Sequence, residues 1–366
     1  MVGRISLGVA VLFATVASGE ESREIYSGQG DKSPKQPQAF VAVDGATHLT
    51  FGVGNEVFYA RGQGESFDQP LQAFTVPNMS LGMRRGPRIA SSGDAVVITA
   101  IGGAQGKGRD GDLIAYRSTD RGKRWQGPIR INDVDASARE GLHAMTATDD
   151  GVLWCVWLDL RAKKTELYAS KSLDGGLTWE RNRLVYRSPG GSICECCHPS
   201  VVARGDTVQI LFRNSLGGNR DMYLVTSDDA GKTFGEAVRL GDMHWVLNAC
   251  PMDGGMLAVD KGGSVATVWR REGMLYWTAG PAAEERVLGK GEQAWVASDP
   301  SGSYAVWTTA REGDLIFARL GSDPQRVATA SRDPIIVATA SPDSSPQLFW
   351  EERRGDRVAI MWRSIR

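Results

Sequence analysis

Five cysteines and four histidines are spread unevenly along this 366-residue chain. Cys194, Cys196, Cys197 and His198 stand together in CECCHP, and His244, Cys250 and Met252 follow in DMHWVLNACPMD (242–253). Thiolate, imidazole and thioether together suit copper(I), while thiolate with imidazole suits zinc(II). The same four cysteines could instead form two disulfides that tie the 190s segment to the 250 segment. The neighbours Cys196 and Cys197 would seldom bond to each other, because that ring is strained. A third chemistry is covalent haem, since Cys194 to His198 has the C-x-x-C-H spacing with His198 as axial ligand. The extra Cys196 and a β-rich setting count against it. Cys155, inside VLWCVWLD, reads as a buried free thiol.

Composition narrows the partners. Lys and Arg number 42 against 43 Asp and Glu, and no basic run exists, so nucleic acid is excluded as a partner on electrostatic grounds. A protein, a glycan or a small molecule remains open. Residues 1–19 read as a secretory signal: Arg4, an apolar stretch from Leu7 to Val16, then Ala17-Ser18-Gly19. That stretch is too short to span a bilayer comfortably, and no other long apolar run follows. The expectation is an exported chain, periplasmic or secreted, with no transmembrane domain in its mature form. Residues 20–38 read as a lead-in, with GQGDKSPKQPQ (28–38) flexible.

The elements that must carry the cluster repeat. STDRGKRW (118–125), SLDGGLTW (172–179) and SDDAGKTF (227–234) share the template S-x-D-x-G-x-[TR]-[WF], with a degenerate copy in ARGQGESF (60–67). A shared turn at a period of about 55 residues marks a repeat architecture. The Asp accepts backbone N–H groups across the turn, the Gly takes a φ that other residues resist, and the closing aromatic packs between sheets. A second repeat is a hairpin pattern, as in VWLDLRAKKTELYA and TVWRREGMLYW. Together they predict a single all-β domain over 39–366, a β-propeller of four-stranded blades. The expected units are 39–76, 86–131, 141–186, 197–240, 250–288, 292–328 and 334–365, seven in all, with six as the alternative count. The last unit shows three strands, and REIYS (23–27) is the expected fourth, closing the ring.

These Asp-boxes resemble those of the sialidase-like, BNR-repeat propellers. CECCHP, NRD (219–221), the third Asp-box, DMHW and CPMDGG (250–255) resemble, in that order, an exported bacterial subgroup with a CxCC motif and a later W…CP segment. The resemblance implies Asp-boxes on the face opposite the ligand site. It also suggests exo-sialidase-type glycoside hydrolysis, which needs arginines to clamp a carboxylate and a Tyr activated by a Glu. Arg88 in PRIA stands where the family has Arg-Ile-Pro, though no Pro follows. Arg161, Arg213, Arg220, Asp221 and Arg270 are further candidates on the expected ligand face. Tyr276 and Tyr304 read as ordinary strand residues. An expected count of seven departs from the six blades of sialidases.

In a propeller, the connection from one blade's outer strand to the next blade's innermost strand crosses the ligand face. Cys194 to His198 lie in one such connection and Met243 to Met252 in the next. His143 also falls beside one. The leading expectation is a soft-metal or partner site on that face, built from Cys194, Cys196, Cys197, His198, His244, Cys250 and Met252. The alternatives are a sialidase-type hydrolase and a structural interaction module held by disulfides.

Overall fold

The computed structural model describes residues 21–260, 262–338 and 345–365, so the expected signal segment lies outside the described residues. Among them every long element is a strand, and one short 3-10 turn (Gly30–Lys32) interrupts the pattern.

The second strand of each sheet is a long apolar run. Thr47–Val53, Ala95–Gly102 and Leu153–Asp159 are buried at every position, whereas the outermost strand Gln126–Arg130 is mostly exposed. A strand covered on both faces has no need of apolar–polar alternation. Here the covering layers are the neighbouring sheets. Leu142, Val156, Leu158 and Leu167 of one sheet pack with Val201, Val208, Ile210 and Phe212 of the next. Val97, Ile101 and Leu113 meet Leu153, Cys155 and Trp157 in the same way. Cys155 is fully buried and free, as expected, and burial pushes its thiol pKa far up.

The sheets are antiparallel meanders arranged around an axis. Five stand as separate blades. The first holds Lys35–Val41, Thr47–Val53, Glu56–Gln63 and Leu71–Thr75, with the short Ser66–Phe67 at its edge. The next four are the four-stranded sheets spanning 88–130, 143–186, 200–239 and 256–290. The expectation of seven separate four-stranded sheets is corrected here. Units 292–328 and 334–365 form one seven-stranded sheet, because Gln325–Val337 runs unbroken through the expected boundary. One part of that strand pairs with Gly313–Arg319 and the other with Gln347–Arg354. The two halves of this sheet still face each other across Val306, Phe317, Ile336, Leu348 and Trp350.

Arg23–Gln29 lies against Arg357–Ser364 as the outermost strand of the fused sheet, joining the two ends of the ring. The rest of the lead-in is partly strand. Lys35–Val41 is the innermost strand of the first blade, with Gln36 and Gln38 buried, so this blade starts before residue 39.

The Asp-boxes occupy turns between third and fourth strands. In the third box, Ser227 Oγ accepts the Gly231 N–H at 2.9 Å and donates to Asp229 Oδ1 at 2.8 Å. The Thr233 N–H reaches the same oxygen at 2.9 Å and the Thr233 hydroxyl reaches Oδ2 at 2.6 Å. These donors, the Thr233 hydroxyl foremost, hold Asp229 below the usual carboxylate range. Gly231 has φ +75°, and a Cβ there would sit 2.1 Å from Trp154 of the preceding blade. The glycine thus serves both the turn and the blade-to-blade contact. The closing aromatics fill the same seams: Trp125 packs edge-on against Tyr59, and Phe67 of the degenerate copy against Phe349 and Trp362.

Candidate functional site

At the end of the propeller opposite the Asp-boxes, the connection into the fourth blade turns inward. The Ile193 N–H bonds the Thr165 carbonyl and the Cys194 N–H the Arg213 carbonyl, both at 3.0 Å. These bonds pin the segment to the central hairpins of two blades and direct its thiols into the protein. Cys194 and Cys197 are buried free thiols with their Sγ atoms 2.7 Å apart. Cys194 Sγ lies 3.7 Å from Cys196 Sγ, and Cys196 is bonded to Cys250. The sulfurs of Cys194, Cys196 and Cys197 all lie within 4.8 Å of one another, and Met252 packs against the three.

The bridge ties the 190s connection to the 250 connection, as expected of a disulfide. It is one bridge rather than the two expected, because Cys194 and Cys197 face each other as thiols. Their environments differ. The Cys197 contact comes first among the influences on Cys194, and Arg213 adds to it; the thiol is lowered to about 7. Burial, reinforced by Cys194, pushes Cys197 well above the ordinary thiol value. Of the two thiols, Cys194 is therefore the one that loses its proton more readily.

Both expected histidine ligands fall outside the cluster. His198 Nδ1 accepts the Gly254 N–H at 3.2 Å, and its ring stacks 6.5 Å from that of Trp295. Burial and the nearby Arg84, Arg88 and Arg213 keep it neutral. His198 follows the cysteines directly in sequence, yet its ring turns away from them. His244 is exposed, and its Nδ1 is paired with Asp221. His143, the other histidine beside a connection, is buried with its Nε2 against the Thr99 hydroxyl at 3.0 Å.

The arginine candidates divide. Arg161 is committed to Asp159, Asp133 and Asn182 and lies over the Tyr168 ring at 4.0 Å, an ion-paired turn. Arg213 is buried, with its donors on the carbonyls of Asp253, Arg220 and Arg270. Arg220 reaches the Leu247 carbonyl, and Asp221 accepts the Trp245 N–H. Arg270 pairs with Asp253 at 3.3 Å and donates to the Pro251 carbonyl. These groups fasten the 242–253 segment to its neighbours. Trp245, buried beneath Arg213 and Arg270, belongs to the same fastening. Arg88 alone is set at the axis, bonded to the carbonyls of Arg84, Gly86 and Pro87, and burial lowers it to about 9. Tyr276 and Tyr304 are strand residues, as expected.

Around the axis runs a polar belt that sequence reasoning missed. Gln293 receives the Asp333 N–H and donates its amide to Asp333, and its own N–H reaches Asp253. Arg84 pairs with Asp333 at 3.8 Å, and the Gln36 N–H donates to Glu351 at 2.7 Å. Gln36 Nε2, Arg84 Nε and Nη2, and His198 Nε2 are buried without a hydrogen-bond partner. A signal was present. Gln36, Gln293 and Asp333 each have positive φ at a bulge of an innermost strand, in Gln36-Pro37, Gln293-Ala294 and Asp333-Pro334. A cavity of about 1220 Å³ lies at the other end of the axis, among Val41, Ala147, Arg204, Gln209 and Asp299. No thiol or histidine lines it.

The profile of the BNR repeat-like domain family matches residues 87–268, the span that holds the three Asp-boxes and the sulfur cluster. Residues 87–268 are thus similar to a BNR repeat-like domain, set within a β-propeller. Solved structures agree with this propeller in fold. A protein of unknown function from Dyadobacter fermentans superposes with a TM-score of 0.53 at 15% identity, over 94% of this chain and 99% of that one. The α-L-arabinanase of Penicillium chrysogenum gives 0.52 at 14% identity, over 79% and 97%. The Hadza microbial sialidase Hz136 gives 0.54 at 14% identity, over 90% and 65%. At these identities the likeness is one of fold. No curated protein sequence matches this chain.

Proposed function

We propose that this propeller is an exported protein that holds one soft metal ion, copper(I) or zinc(II), at the sulfur cluster. The observation that carries the reading is the convergence of three cysteine sulfurs within 4.8 Å, with Met252 packed on them. With the Cys196–Cys250 bridge formed, Cys194 and Cys197 supply two thiolates and Met252 a thioether, a donor set suited to copper(I). With the bridge reduced, Cys196 and Cys250 add two thiolates, a set suited to zinc(II). Arg213 and Arg220 offset the negative charge of such a site. Export follows from residues 1–19 and matches a chain that keeps a disulfide; the intact mass of the exported protein is expected to lack those residues. Protein purified without a chelating tag is expected to carry or take up about one equivalent of copper or zinc. Failure of both to bind, with and without thiol reductant, would sink the proposal.

A second reading, a sialidase-type glycoside hydrolase, is favoured by the axial belt. Arg84 and Arg88 are buried beside Asp333, and Glu351 is raised to about 8 by burial and then by Asp333, so it keeps a proton near neutral pH. A buried arginine pair suits a carboxylate, and a protonated carboxyl suits leaving-group protonation. Turnover of a fluorogenic sialoside, abolished by Arg88→Met, would support this reading. No turnover by the folded protein would remove it.

A further inference from the structure

We infer that Cys250, Cys196, Cys194 and Cys197 form a thiol–disulfide exchange site, in which a disulfide moves between the surface and the buried thiol pair. The inference goes beyond metal binding and requires no metal.

The sulfurs are ordered from outside inward. Cys250 is exposed, Cys196 is 8% exposed, and Cys194 and Cys197 are at 1% and 2%. Cys194 Sγ stands 3.7 Å from Cys196 Sγ, and Cys197 Sγ stands 2.7 Å from Cys194 Sγ. Each sulfur thus has the next within reach. The exposed end belongs to Asn248-Ala249-Cys250, a run of exposed residues between two anchors. On one side the Leu247 N–H bonds the Gly218 carbonyl; on the other Asp253 pairs with Arg270. Release of Cys250 therefore frees a short run without unseating the blade.

Two exchanges complete the transfer. The Cys194 thiolate attacks Cys196 Sγ; a Cys194–Cys196 bond forms, the Cys196–Cys250 bond breaks, and the electron pair leaves on Cys250, which takes a proton from water. Cys197 then attacks Cys194 Sγ, forming the Cys194–Cys197 bond and breaking the Cys194–Cys196 bond, and its thiol proton passes to the departing Cys196 sulfur. One disulfide and two thiols exist before and after, so no oxidant or reductant is consumed. The freed Cys250 thiol is the one sulfur of the four that an outside reagent can meet. Its external reactants are low-molecular-weight disulfides: the Cys250 thiolate attacks one sulfur, forms a mixed disulfide and expels the other half as thiolate. The buried pair offers no surface to a protein partner.

The test is alkylation trapping of the metal-free, chelator-treated full chain. Folded protein is held in iodoacetamide, quenched in acid, digested without reduction, and mapped by mass spectrometry. Wild type is expected to accumulate alkylated Cys250 together with a Cys194–Cys197 bridge. Cys194→Ser, which removes the attacking sulfur, is expected to label Cys250 at least about tenfold more slowly. Cys197→Ser is expected to label Cys250 and stop at a Cys194–Cys196 bridge. An intact Cys196–Cys250 bridge in wild type after prolonged exposure would overturn the inference, as would equal labelling of wild type and Cys194→Ser. Metal analysis of the same preparations reads the metal proposal separately.

Discussion

The backbone N–H of Gly254 donates to Nδ1 of His198 at 3.2 Å, across two blade connections 56 residues apart. The contact is tight because the glycine has no side chain: a Cβ at Gly254 would fall 2.1 Å from the His198 carbonyl oxygen and 2.8 Å from Nδ1. This close approach sets the distance between the segment that carries Cys194, Cys196 and Cys197 and the one that carries Cys250 and Met252. Gly254→Ala is therefore expected to cost about 1–3 kcal/mol through overpacking and to lower the yield of the Cys196–Cys250 bridge. Denaturant unfolding and non-reducing peptide mapping check both; an unchanged midpoint with full bridging would show that the approach is unimportant.

The Asp-box glycines make a parallel prediction about the scaffold. Gly231→Ala is expected to destabilise by about 2–4 kcal/mol, combining a left-handed alanine with a clash on Trp154. Gly205 has φ +53° with open space around its Cβ position, so Gly205→Ala carries the backbone penalty alone, about 1–2 kcal/mol. Equal losses in the two variants would mean that the Asp-box glycine serves the turn and not the seam between blades.

A pH dependence follows from Glu351. Burial, with Asp333 second, raises its carboxyl to about 8 in the folded chain, above its ordinary value of 4.5. The folded state then binds more protons than the unfolded state between those values, so stability falls as pH rises. The contribution is fully present below 4.5 and lost as pH passes through about 8. The melting temperature is expected to decline from pH 6 to pH 9, and Glu351→Gln, which mimics the protonated form, should flatten that decline. A variant with the wild-type slope would place the titrating group elsewhere.

The repeat was legible because its parts are local. The Ser, Asp and Gly of each box bond within one turn, and the apolar second strands announce their double burial directly. The segment 23–27 was legible as the strand that the three-stranded last unit lacked, and Arg23–Gln29 pairs there. The boundary inside Gln325–Val337 was not legible, because Asp333-Pro334 reads as a break where the structure has a bulge in a continuous strand. The cysteines were correctly brought together, since successive connections meet at one face. His198 was misassigned because adjacency in sequence says nothing of which way a ring turns once Gly254 claims its nitrogen. Arg84, Gln293 and Asp333 escaped notice because their burial depends on strands that meet only around the closed ring.

The central claim is that Cys194 and Cys197 hold a soft metal, and elemental analysis of paired variants tests it most directly. Wild type and Cys155→Ser, whose altered thiol is buried in a blade seam remote from the cluster in the chain fold, are each loaded with copper(I) or zinc(II), desalted and measured. About one equivalent per chain is expected in both, falling below about a tenth in Cys194→Ser and Cys197→Ser. Equal metal in all four proteins, or none in any, would contradict the account.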